Sequence, residues 1–101
     1  MARQITELAV TAFLAGRTFK QSNTEVTYHD AKTVSRMYLF DNLIASYNHT
    51  LKELVITTAG WNTVTTRERL NGLPKVSVTQ MNYQLYLNGE QWDGEPVTIE
   101  L

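Results

Sequence analysis

The sequence contains no cysteine. That excludes disulfides, thiolate metal sites and cysteine nucleophiles. Histidine is almost as scarce, with only His29 and His49. A long apolar run is also missing. "ITELAVTAFLAG" is interrupted by Glu7 and Thr11, so it is too short to span a bilayer and does not make a signal peptide. The expectation is a soluble, cytoplasmic protein without a membrane partner. No low-complexity tract, linker or repeat breaks the chain, which reads as one domain over 1–101.

Strong net charge is lacking too. Nine Lys and Arg against ten Asp and Glu leave −1, which argues against a strongly basic nucleic-acid binder and a strongly acidic DNA mimic. The distribution is uneven, however. Residues 1–75 hold all nine cations and six carboxylates (+3), whereas 76–101 hold Glu90, Asp93, Glu95 and Glu100 alone (−4). These halves either pair within the fold or across subunits, or leave an acidic patch for a partner.

What is present is enough for one core: 43% of the 101 residues are apolar. The spacing of Ile5, Leu8, Ala9, Ala12, Phe13 and Ala15 is helical, with Gly16 as the stop. This amphipathic helix should lay Ile5, Leu8, Ala12 and Phe13 on a sheet. "TEVTYHD" reads as a strand with Val26 and Tyr28 on one face. "SRMYLFDNLIASYN" reads as two strands around Asp41-Asn42, pairing Phe40 with Leu43, Leu39 with Ile44 and Tyr38 with Ala45. A turn at His49-Thr50 precedes the strand "LKELVITTA", which Gly60 ends.

Thr65-Thr66-Arg67-Glu68 then fits a capping box, with Thr65 and Glu68 capping each other. The helix "TRERLN" is short; Gly72 and Pro74 close it, and Leu70 and Leu73 must dock it. "KVSVTQ" and "YQLYLN" flank Met81-Asn82, Asn88-Gly89 marks another hairpin, and "EQW" and "VTIEL" continue the sheet, with Pro96 at an edge or strand start. The predicted fold is α+β: one antiparallel sheet of about six strands with both helices against one face, in the order α-β-β-β-β-α-β-β.

Signs of catalysis are weak. His29 and His49 lack a third ligand at sensible spacing, so no metal is expected. No nucleophile elbow or Gly-rich phosphate loop is present. Glu90, Asp93 and Glu95 suit a solvated turn better than acid–base work. A cryptic enzyme would need His29 or His49 brought to a carboxylate. Binding is the stronger expectation, without a cofactor. Tyr38, Phe40, Tyr47, Tyr83, Tyr86 and Trp92 form a candidate aromatic sheet face, bordered by the acidic Glu90, Asp93 and Glu95, that suits a partner or subunit interface. The alternative is a ligand or nucleic-acid site of Trp61, Thr65, Thr66, Arg67 and Arg69 at the N-terminus of the 66–71 helix. The bland counter-reading puts Trp61 in the core and the arginines in solvent.

"AGWNTVTTRERLNGLP" and "VSVTQMNYQLYLNGEQWDG" resemble a group of small proteins encoded by bacteriophages and mobile elements. The resemblance rests on Gly60, Trp61, Thr65, Thr66, Arg69, Leu70, Asn71, Leu87, Asn88, Gly89 and Trp92, and spans roughly residues 34–94. "LFDNLIASYN" fits as well, although Asp41-Asn42 differs in detail from the group's turn. The resemblance implies a phage origin and the host cytoplasm, but no activity. By association, it suggests a non-enzymatic accessory protein that binds a host protein, for instance to block a host or defence system, and that acts as a small homo-oligomer.

Overall fold

In the computed structural model, which describes residues 4–101, helix α1 (Gln4–Ala15) and helix α2 (Val64–Leu70) accompany nine strands. Strands β1 (Phe19–Gln21), β2 (Thr24–His29), β3 (Val34–Leu39), β4 (Asn42–Asn48) and β5 (Glu53–Ile56) form an antiparallel meander. β9 (Val97–Glu100) returns to the outer edge of β5 and completes a six-stranded sheet in the order β1-β2-β3-β4-β5-β9. The fold is α+β, as the sequence predicts. Strands β6 (Val78–Met81), β7 (Gln84–Leu87) and β8 (Glu90–Gln91) make a separate three-stranded sheet.

Alternation at period two builds the core face. In β3, Ser35, Met37 and Leu39 are buried, and in β5, Leu54 and Ile56. α1 lays Ala9, Val10, Ala12 and Phe13 onto the sheet, with Phe13 against Tyr47 at a ring separation of 6.2 Å. Leu70 and Leu73 dock as expected, and Val76, Val78 and Leu85 extend the core toward the second sheet. Gly16, at φ 70°, ends α1.

Leu8 is 45% exposed, contrary to its expected docking. The buried stripe is rotated to Thr6, Ala9, Val10 and Phe13, because Thr6 is needed under the helix by a polar network described below. Gly72 lets the chain after α2 approach this stripe. A methyl group there would stand 2.5 Å from Thr6 Cγ2.

Two hairpins differ from their predicted registers. The β3–β4 turn is Phe40-Asp41 rather than Asp41-Asn42, since Leu39 pairs with Asn42 and Tyr38 with Leu43. A bulge between Met37 and Tyr38 then shifts the register by one residue, so that Met37 pairs with Ala45. Asn42 closes the turn instead of occupying it, through Nδ2 donating to Phe40 O at 3.1 Å. The β6–β7 turn is Asn82-Tyr83, because Met81 pairs with Gln84. Both turns have two positive φ values, 50° and 66° in each. An aromatic residue therefore occupies a left-handed position in each, which bulky side chains rarely adopt. The Asn88-Gly89 hairpin forms as expected. β5 ends at Ile56, short of Gly60, and Thr57 to Gly60 turn the chain, with Ala59 and Gly60 at φ 54° and 83°.

Candidate functional site

Thr63, not Thr65, caps α2. Its backbone is extended, and its hydroxyl accepts from Thr66 N at 3.1 Å. The predicted capping box fails because Glu68 is engaged elsewhere, accepting from Thr6 Oγ1 at 2.7 Å and pairing with Arg69. Thr63→Ala should cost about 1 kcal/mol in chemical denaturation, and Thr65→Ala less; equal losses would restore Thr65 as the cap.

The three side chains that sequence placed at one binding site part company. Arg69 is 2% exposed, ion-paired to Glu68, and donates to Thr24 Oγ1 at 3.0 Å and Thr6 Oγ1 at 2.8 Å. It is a core residue that ties α2 to β2 and α1. Arg67 is partly exposed and donates through Nη1 to Asn62 Oδ1 at 2.8 Å and Gln80 Oε1 at 2.7 Å. Trp61 is 59% exposed, so it is not in the core. Thr66 is buried and Thr65 half-buried.

The expected aromatic sheet face is also dispersed. Tyr47 belongs to the core, while Tyr38, Tyr86 and Trp92 are half-buried. Trp92 packs against the core and donates through its indole N–H to Glu95 O at 2.9 Å. Only Phe40 and Tyr83 of that set are largely exposed, at 65% and 97%, and both stand on hairpin turns rather than on a strand face. Glu90, Asp93 and Glu95 are exposed near Trp92.

Tertiary structure brings Phe40 to Trp61. Together with Leu39, Asn42, Ile44, Thr58, Thr63 and Thr66 they line a cleft of about 400 Å³ between the β3–β4 hairpin and the segment that leads into α2. Leu39 and Ile44 form an apolar floor, and Asn42, Thr58 and Thr63 supply the polar atoms. The Thr57-Thr58 turn is held from behind by Gly94 O, which accepts from Thr58 N at 3.0 Å and Thr57 Oγ1 at 2.6 Å. Sequence reasoning found both walls of the cleft, but assigned them to different sites.

The histidines are engaged locally. His29 Nδ1 accepts from Lys32 N at 3.3 Å, and His49 Nε2 bonds Ser35 Oγ at 2.7 Å. Ser35 is fully buried on the core face of β3. Among the described residues, no group of three Asp, Glu or His is placed to hold a metal ion, and no helix is long and apolar enough to cross a membrane.

A helix-backed antiparallel sheet with a mainly apolar cleft beside it defines a small α+β protein. Residues 2–100 match the Kyanoviridae Gp96 protein family, and the chain belongs to it. It is thus a phage protein, in line with the resemblance seen in the sequence. No match was found among curated proteins or among solved structures.

Proposed function

We propose that this phage protein acts without catalysis, by binding a host protein in the host cytoplasm. The observation that carries this reading is its run of large apolar side chains held in water. Trp61 and Phe40 wall the cleft, Val64 is 66% exposed one residue past the α2 cap, and Met81 and Tyr83 are 65% and 97% exposed on the β6–β7 hairpin. Arg67 joins the two parts by bonding Asn62 and Gln80 together. Apolar surface grouped in this way around a concave anchor point is characteristic of protein interfaces, where a few aromatic residues carry most of the binding energy. The acidic group of Glu90, Asp93 and Glu95 supports the same reading as a polar border that steers a basic partner.

Affinity capture from host lysate tests it. Wild-type bait should recover one protein in stoichiometric amount, and Trp61→Ala bait should lose it. The loss corresponds to about 2 kcal/mol or more for a central aromatic residue. No capture by folded bait, or equal capture by both baits, would refute the reading.

The cleft itself favours a second reading, a small-ligand module, since its volume and lining resemble those of ligand sites. Nucleotides should then change tryptophan fluorescence in wild type, and Phe40→Ala, which removes one wall of the cleft, should weaken the response. A broad panel without a response would remove this alternative.

A further inference from the structure

The chain holds two Asn-Gly pairs, Asn71-Gly72 and Asn88-Gly89. This dipeptide is prone to spontaneous deamidation, because glycine has no side chain to screen its amide nitrogen from the preceding carboxamide. The fold treats the two pairs in opposite ways.

Asn71 is locked. Its Oδ1 accepts from Val78 N at 2.6 Å, and its Nδ2 donates to Val78 O at 3.0 Å. The Gly72 nitrogen, which would have to attack, is engaged with Arg69 O at 3.2 Å, and Thr6 and Val10 crowd the glycine.

Asn88 differs on each count. Both it and Gly89 are exposed, and a Cβ at Gly89 would meet nothing within 4 Å. The Gly89 N–H donates to no group among the described residues. Asn88 Nδ2 donates to Lys75 O at 3.0 Å, and Oδ1 accepts from Ser77 N at 2.8 Å, both at the surface. The second bond also favours reaction. A backbone N–H held against Oδ1 stabilises the negative charge that develops there when the carboxamide carbon is attacked.

We propose that Asn88 is a site of spontaneous deamidation in the folded protein, while Asn71 is protected. The Gly89 nitrogen bonds to Asn88 Cγ, and the Cγ–Nδ2 bond breaks. The proton from Gly89 passes to the departing amide, which leaves as ammonia. Water then opens the succinimide ring at one of its two carbonyls, leaving aspartate or isoaspartate at position 88. Neither carboxylate can donate to Lys75 O. Isoaspartate also inserts a backbone carbon into a turn of only two residues, between the paired Leu87 and Glu90. Modification therefore loosens the tie between residues 75–77 and the β7–β8 hairpin. It also adds a negative charge to residues 76–101, which already hold Glu90, Asp93, Glu95 and Glu100 without a cation. This goes beyond the host-protein reading and does not depend on it.

Peptide mapping by mass spectrometry, after the folded protein is held at mildly alkaline pH, tests it. Trypsin cuts after Arg69 and Lys75, so Asn71 and Asn88 fall on separate peptides, and fragment ions part Asn88 from Asn82. In the folded protein Asn88 should convert roughly tenfold or more faster than Asn71, as expected when one site opens locally and the other is locked. In unfolding urea this difference should vanish. Equal rates in the folded protein, a faster Asn71 or no conversion at Asn88 would overturn the proposal. So would a difference that persists in urea, since its cause would then lie in the flanking sequence. Asn88→Asp reproduces one product, and aspartate tolerates the left-handed backbone as asparagine does. Its melting temperature should fall by roughly 4–8 °C, the shift that loss of one hydrogen bond produces in a chain of this size. An unchanged melting temperature would show that Asn88 is no tie at all.

Discussion

Arg69→Ala should destabilise the protein by about 3 kcal/mol, the cost of removing a buried charged group whose hydrogen bonds join three elements. The guanidinium is 2% exposed, and its Nε and Nη1 atoms reach Thr24, Thr6 and Glu68, so three elements lose a shared tie at once. For a chain of this size the melting temperature should fall by roughly 12 °C or more. Arg69→Lys should recover only part of the loss, since an ammonium group cannot reproduce two donors fixed in one plane. Thermal unfolding of these variants, beside Arg67→Ala, measures the effect. Arg67 sits at the surface with neutral partners, so Arg67→Ala should cost little. Equal losses for Arg67→Ala and Arg69→Ala would show that the buried network is not a main support of the fold.

Gly94→Ala should be nearly as damaging, at about 3 kcal/mol, and its comparison with Gly89→Ala makes the reason visible. Both glycines have φ 87°, so an alanine at either position incurs the left-handed strain of about 1–2 kcal/mol. Their surroundings differ completely. A Cβ at Gly89 meets nothing within 4 Å, whereas one at Gly94 would stand 2.3 Å from Thr58 Oγ1. Thr58 is buried, so the clash must displace the turn and strain the two hydrogen bonds received by Gly94 O, each worth about 0.5–1.5 kcal/mol. The difference between the two variants in urea denaturation isolates this contact from the strain. If both lose the same amount, the Thr58 contact contributes nothing. Because Thr58 also lines the cleft, Gly94→Ala should alter tryptophan emission as well.

These two sites show where sequence reasoning stops. The helical spacing of α1, the strands and the Asn88-Gly89 turn are local patterns, and local patterns were readable. Arg67 and Arg69 look alike in the sequence. What separates them is Thr24 and Thr6, which lie 45 and 63 positions away from Arg69. The two hairpin registers were misplaced by one residue because turn propensity disfavours Phe40 and Tyr83 at positive φ, and the fold accepts both. The cap was misread because Thr63 and Thr65 both precede the helix, and only the remote demand of Thr6 and Arg69 on Glu68 decides between them. The cleft was invisible for a related reason: Phe40 and Trp61 meet only after the β3–β4 hairpin folds against the segment before α2.

The return of β9 to β5 has a kinetic consequence. Strands β1 to β5 are joined by short turns, so each pair can zip locally, but β9 must cross α2 and the whole second sheet before it finds its neighbour. Closing that long loop is slow relative to hairpin formation. Until it closes, β5 presents its unpaired backbone edge with Leu54 and Ile56 beside it, a template for pairing with another nascent chain. The contact of Gly94 with Thr57 and Thr58 lies just ahead of β9 and just after β5. It acts as a clasp that shortens the final search to a few residues.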